Sequence, residues 1–207
     1  MVYRKTNKVK KKMDGKKEGI LRAAKETLAE KSYKETSIKT ITKKAGIAAG
    51  TFYLYFSNKE TLVETVIEEM YQDLLDEIKK ERSKYDYKFD KLKASMEACL
   101  NIFIKEKHLA KILLLELPVI NNAFNKKLTE IEKELIALTR EDLDELQAEN
   151  LLPEQDTLVS AAAFVGTFRQ VLINWLEEGE PQDLKKAFGT LMQYNFRGLG
   201  KISDKDG

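Results

Sequence analysis

The chain has 207 residues, 43% of them hydrophobic and 34% charged, enough for one sizeable core or for two small ones joined by a shared helix. A single cysteine, Cys99, rules out an internal disulfide, and a single histidine, His108, leaves little material for a zinc centre or a histidine-based triad. The net charge of +2 hides an asymmetry: residues 1–60 hold sixteen Lys and Arg against six Asp and Glu, and the remainder hold twenty against twenty-eight. A basic head on an acidic body suits a protein that presents one end to a polyanion. No Gly-rich phosphate loop, metal-ligand spacing or Cys–His pair is found, so no catalytic residue, metal or cofactor is assigned and an enzyme is not expected. No apolar run approaches the roughly 20 residues of a membrane span, and the basic, polar N-terminus is unlike a signal peptide. The expected location is cytoplasmic, without a membrane partner.

Residues 1–13 carry six basic side chains, no acid and no apolar period. They are expected to form a disordered basic arm, either an extra phosphate contact or a solvated tail. From Gly15 to Lys31, Ile20, Ala23, Ala24, Thr27 and Leu28 recur at helical spacing and mark a scaffold helix with one buried face. Thr36-Ser37 can cap the next helix, which carries Ile38, Ile41 and Ala45 on one side. Gly46 follows, where a positive φ can turn the chain sharply, and Ile47 plugs the angle. Ala48-Ala49-Gly50-Thr51 would open a second short helix whose small side chains allow close approach to a ligand. Phe52 and Phe56, four apart, point to the core, leaving Thr51, Tyr53 and Tyr55 on other faces. Asn58 looks like a cap for a third helix with Lys59 in its first turn, placed for a phosphate.

The run T-S-I-x-x-I-x-x-x-A-G-I-x-x-G-x-F-Y-x-Y-F-x-N-K-E-x-L, from Thr36 to Leu62, resembles the DNA-binding signature of the TetR family of bacterial repressors. The resemblance departs at Thr42, where alanine is usual, at Ser32, where glycine is usual, and at Ala48, where a serine commonly caps the recognition helix. The missing cap should cost roughly 1 kcal/mol of helix stability. The DNA-facing set is Ser37, Lys39, Ala49, Gly50, Thr51, Tyr53, Tyr55 and Lys59. The resemblance implies a double-stranded palindromic operator as partner, repression, and release by a small-molecule effector.

The third helix should run long, since Leu62, Val63, Val66, Ile67, Met70, Leu74, Leu75 and Ile78 keep helical spacing. The polar stretch around residues 79–91 ends it, and a second domain begins near Phe89. Leu92, Met96, Cys99, Leu100 and Phe103 form one stripe, and the apolar run 109–117 is expected to stop at Pro118. Another long helix begins around Phe124 and ends near Asn150. Pro153 and Pro181 would sit in first turns, with Gly179 between them as a stop, giving helices at about 154–178 and 182–198. These two are apolar beyond the needs of one core. The resemblance implies that they dimerise two chains, with Ala161, Ala162 and Gly166 permitting close approach. Candidates to line an effector site are Met96, Cys99, Phe103, Phe124, Phe164, Phe168 and Trp175, with Arg169 as a charged residue needing a partner, either an anionic ligand or Glu116. His108 reads as solvated.

The expected protein is all-α with about nine helices: an arm at 1–13, a helix-turn-helix domain at 14–61 with its motif at about 37–56, and a helical effector-binding and dimerisation domain at 62–207. The body is weakly similar in pattern to TetR-family regulators of fatty-acid metabolism, which respond to acyl-CoA; multidrug-type lipophilic effectors are equally open. The competing readings are a helical ligand carrier and an interaction module without a DNA-binding role.

Overall fold

Helical periodicity governs the regular structure of the described residues. A computed structural model describes residues 7–120 and 122–200, with side chains from residue 15 onward, and all regular structure among them is helical. The chain divides into two compact units, 1–70 and 71–207, the division falling inside one helix rather than at the expected boundary before residue 62.

In the first unit α1 (Asn7–Glu30) packs on α2 (Ile38–Lys44), and α2 on α3 (Ala49–Phe52). The scaffold face falls as its spacing predicts: Ile20, Ala23, Ala24, Thr27 and Leu28 are all buried, and the Thr27 hydroxyl donates to the Ala23 carbonyl at 2.6 Å. α1 begins earlier than the apolar period suggests. Residues 7–13, expected as part of a disordered arm, are helical, because a run of lysines flanking Met13 contains good helix formers and extends a helix already nucleated. Residues 1–6 of that arm lie outside the described residues.

α4 (Lys59–Arg82) begins in the first unit and ends in the second. The second unit continues with α5 (Lys88–Lys105), α6 (Lys107–Lys111), a π-helical turn (Ile112–Glu116), α7 (Leu117–Ile120), α8 (Asn122–Ala148), α9 (Thr157–Glu178) and α10 (Leu184–Gly198). The run 107–120 is continuous, and counted as one helix it gives the nine expected. Pro118 therefore does not stop the chain. The Leu117 N–H reaches five residues back to the Ile112 carbonyl, so the widened turn reroutes the bonding pattern just before proline's missing donor. Pro153 and Pro181 lie in the loops ahead of the helices rather than in their first turns. Asp156 caps α9 by accepting from Leu158 N and Val159 N, and Asp183 caps α10 by accepting from Lys186 N. Gly179 ends α9 at φ 78°, as the sequence predicts.

α9 supplies Ala161 and Phe164 to the main core, where they meet Phe89, Leu92 and Met96 of α5, Leu143 and Leu146 of α8, and Phe188 and Met192 of α10. Polar ties join the helices around it. Arg82 makes a two-pronged ion pair with Asp142, at 2.6 and 2.7 Å, and donates to Ser95 Oγ at 3.0 Å. Tyr71 donates to Glu134, Thr157 to Asp144 at 2.5 Å, and Asn195 to Thr167 at 2.8 Å.

Candidate nucleic-acid interface

The motif is assembled from two unequal helices. Ser37 caps α2, its Oγ accepting from Thr40 N at 3.1 Å, so this hydroxyl is already engaged in the fold. Gly46 adopts φ 66°, the left-handed conformation required of the turn. α3 is only four residues long, and its N-cap, Ala48, offers no side-chain bond, as expected from the absent serine. What holds α3 is packing. Phe52 is fully buried, Phe56 is nearly so, and their rings lie 5.8 Å apart.

Around that anchor the surface is open. Lys39, Ala48, Ala49 and Gly50 are exposed, and Thr51 and Tyr55 are half-buried. Tyr53 is 58% exposed, its ring edge-on to Phe52 at 5.4 Å. Leu54 is 75% exposed, a position outside the expected DNA-facing set. Its signal was available: it falls off the core period between Phe52 and Phe56.

Lys59 is placed differently from the expectation. Its Nζ donates to the Tyr33 and Thr36 carbonyls, both at 3.0 Å, and stands 3.9 Å from the centre of the Tyr33 ring. Burial holds its pKa below the ordinary lysine value. Next to it Tyr33 donates to Glu60 at 3.0 Å; burial first, then this carboxylate, push the phenol well above its usual range. Lys59 is thus a tether between the 33–36 loop and the start of α4, with one ammonium proton left over. Asn58 caps α4 as expected, accepting from Thr61 N at 2.8 Å. Lys44 is neutralised by Glu30 at 2.8 Å and Glu26 at 3.4 Å, so exposed positive charge on α2 comes from Lys39 and Lys43.

The expected effector-lining residues do not converge on one spot. Met96, Phe164 and Phe168 belong to the main core. Cys99 sits in a second cluster with Leu74 and Ile78, burial pushing its thiol up to about 12. Trp175 belongs to a third, with Leu172, Leu176 and Leu184, and Phe103 touches the edges of both the second and the third. Phe124 is buried on α8. Arg169 requires correction: it is exposed rather than enclosed, and its Nε lies 3.8 Å from Glu132, not Glu116. It stands at the flank of the buried face of α9, where a long side chain reaches water. His108 is exposed, as read. Among the described residues no three His, Cys, Asp or Glu side chains come together as a metal site.

A short, open helix offered on a capped partner is the means by which helix-turn-helix proteins enter the major groove, and it places this chain among DNA-binding regulators of transcription. Residues 20–66 match the family described as bacterial regulatory proteins, tetR family, and residues 67–194 match a TetR-type region described as YsiA-like protein, C-terminal region. The chain belongs to the TetR family. Over 53 residues it is 55% identical to YvdT, a helix-turn-helix-type regulator of Bacillus subtilis, a match spanning 26% of this chain and 27% of that relative. Its fold superposes on the fatty acid degradation regulator FadR from Bacillus halodurans with a TM-score of 0.78, at 27% identity, covering 97% of this chain and 100% of the other. It also superposes on FadR from Bacillus subtilis, solved in complex with stearoyl-CoA, with a TM-score of 0.76 at 24% identity, covering 89% and 98%.

Proposed function

We propose that this chain binds a palindromic operator as a homodimer, represses the genes beside it, and is released when a long-chain acyl-CoA enters the helical body. The observation that carries the effector is the likeness to a fatty acid degradation regulator along nearly the whole chain, not in the head alone. The three apolar clusters among the described helices of the second unit suit a lipid chain. On the DNA side, Lys39, Ala49, Gly50, Thr51, Tyr53 and Tyr55 form the reading surface, joined by Leu54, whose apolar tip suits a thymine methyl. Ser37 and Lys59 act mainly by holding α2 and α4 in place.

The dimer face is the outer side of α9. By length and apolarity α9 qualifies as a membrane-crossing helix, contrary to the expectation that no stretch would, yet only 28% of its most apolar window is buried. Val159, at 63% exposed, shares that side with the exposed Ala162 and Ala163 and with Gly166, a spacing that makes one continuous stripe. A second copy covers it, aided by the exposed Tyr194 of α10. Ala161, assigned to that face from the sequence, is fully buried in the main core instead.

The test is an electrophoretic shift on the DNA upstream of the protein's own gene, with stearoyl-CoA, stearate and a lipophilic cationic dye as competitors. The expected result is a retarded band that stearoyl-CoA abolishes. No band sinks the regulator reading; release by the dye alone sinks the acyl-CoA.

A further inference from the structure

The short helix α6 carries three exposed basic side chains, Lys107, His108 and Lys111, within about one-third of its circumference. None of them has a carboxylate partner within ion-pair distance among the described residues. The nearby Glu106 faces Lys105 at 4.0 Å, and Glu177 and Glu178, which follow Trp175 on α9, make no ion pair with this group. Lys107 and Lys111 thus place two positive charges beside one imidazole on one side of a short helix.

Their position gives them a use. The Lys107 ammonium stands 4.2 Å from the centre of the Trp175 ring, and Trp175 is part of the apolar cluster that includes Leu172 and Leu184. Leu114 and Leu115 of the π-helical turn, which follows α6 directly, pack on the same cluster, as do Leu100 and Phe103. The Lys107 ammonium thus stands at the rim of a buried apolar cluster flanked by half-buried side chains, with His108 and Lys111 on the same side of α6, an arrangement that matches a molecule with a phosphate-bearing head and a hydrocarbon tail.

We infer that Lys107, His108 and Lys111 form the seat for the phosphates of the effector, with Trp175 beneath them and the lipid tail running inward past Phe103 and Leu114. This rests on the acyl-CoA reading above and adds to it the residues that distinguish a coenzyme A thioester from a free fatty acid. Trp175 is the only tryptophan of the chain, so it reports directly on this site. A phosphate that draws Lys107 off the ring changes its fluorescence.

The experiment uses the full-length protein and its Lys107→Gln/Lys111→Gln variant, with Lys126→Gln/Lys133→Gln as a control of equal charge at exposed positions on α8. Each is titrated with stearoyl-CoA, stearate and coenzyme A, following Trp175 fluorescence and operator release. The expected result is that the α6 variant needs roughly tenfold more stearoyl-CoA or worse, as for the loss of charge-assisted phosphate contacts, while its response to stearate and that of the control are unchanged. A variant that answers stearoyl-CoA like the wild type overturns the inference while leaving the acyl-CoA reading standing. Equal weakening toward stearate also overturns it, since the substitutions would then act through packing. If the wild type itself ignores stearoyl-CoA, the acyl-CoA reading has failed, and this inference with it.

Discussion

The two compact units are held by different means. In the first, the short α3 has no side-chain cap and rests on two buried phenylalanines, with one lysine tether at the start of α4. In the second, polar ties far apart in sequence bind long helices to each other: Arg82 to Asp142, Tyr71 to Glu134, Thr157 to Asp144 and Asn195 to Thr167. The difference teaches where each unit is vulnerable. In the first unit the long-range polar ties, Lys59 to the 33–36 loop, Tyr33 to Glu60 and Lys44 to Glu30, lie outside α3, which itself offers small side chains and open backbone. In the second they run between the long helices themselves.

The contrast is broken most directly at Arg82. Its side chain is 15% exposed and that of Asp142 only 2%, so Arg82→Ala strands a buried carboxylate and should cost about 3–5 kcal/mol in urea denaturation. Replacing both, as Arg82→Met with Asp142→Leu, should recover most of that. A loss under about 1 kcal/mol for the single change would make the tie an ordinary surface pair and erase the distinction.

Lys59→Ala probes the first unit. As a tether to two carbonyls the lysine should contribute about 1–2 kcal/mol of stability, and its loss should weaken operator binding by a factor that stays constant as salt is raised. As a phosphate contact it would instead lower the salt slope by about one, which would overturn the tether. Ala48→Ser sharpens the same point with the opposite sign. Supplying the missing cap should stabilise the head by about 1 kcal/mol, read as a rise in its melting temperature. No change would mean that α3 is held by Phe52 and Phe56 alone. The smallest effect is expected at Cys99. With burial pushing the thiol up to about 12, the thiolate at pH 8 is only about one part in ten thousand. A disulfide reagent should therefore leave the native protein untouched and titrate one thiol on unfolding; rapid native reaction would place Cys99 at an open site.

Much of this was legible in the chain. The turn glycine, the paired phenylalanines, the absent cap at Ala48 and the stops at Asn150 and Gly179 are local features, and local features follow from residue type. The role of Lys59 was not legible, because its two acceptors lie more than twenty residues away and only folding brings them together. Arg169 was misread for a related reason. A charged residue within an apolar helix looks enclosed until the buried side of that helix is known, and 169 falls at the margin. Pro118 was read by the rule for a regular α-helix, whereas the turn before it is a wider one. The scattered effector-lining residues show the limit of periodicity: it marks which side chains are inward, not which of three clusters each one joins.

The outer stripe of α9 has a consequence for how the protein behaves when scarce. In the proposed dimer a second copy covers this surface, which ties the stability of each copy to the number of copies present, so the melting temperature should climb with protein concentration. In a cell the same law of mass action acts on regulation. Below the concentration at which two chains find each other, a lone copy of the proposed dimer would read only half of its operator, and the genes beside it would stay on whatever the supply of effector.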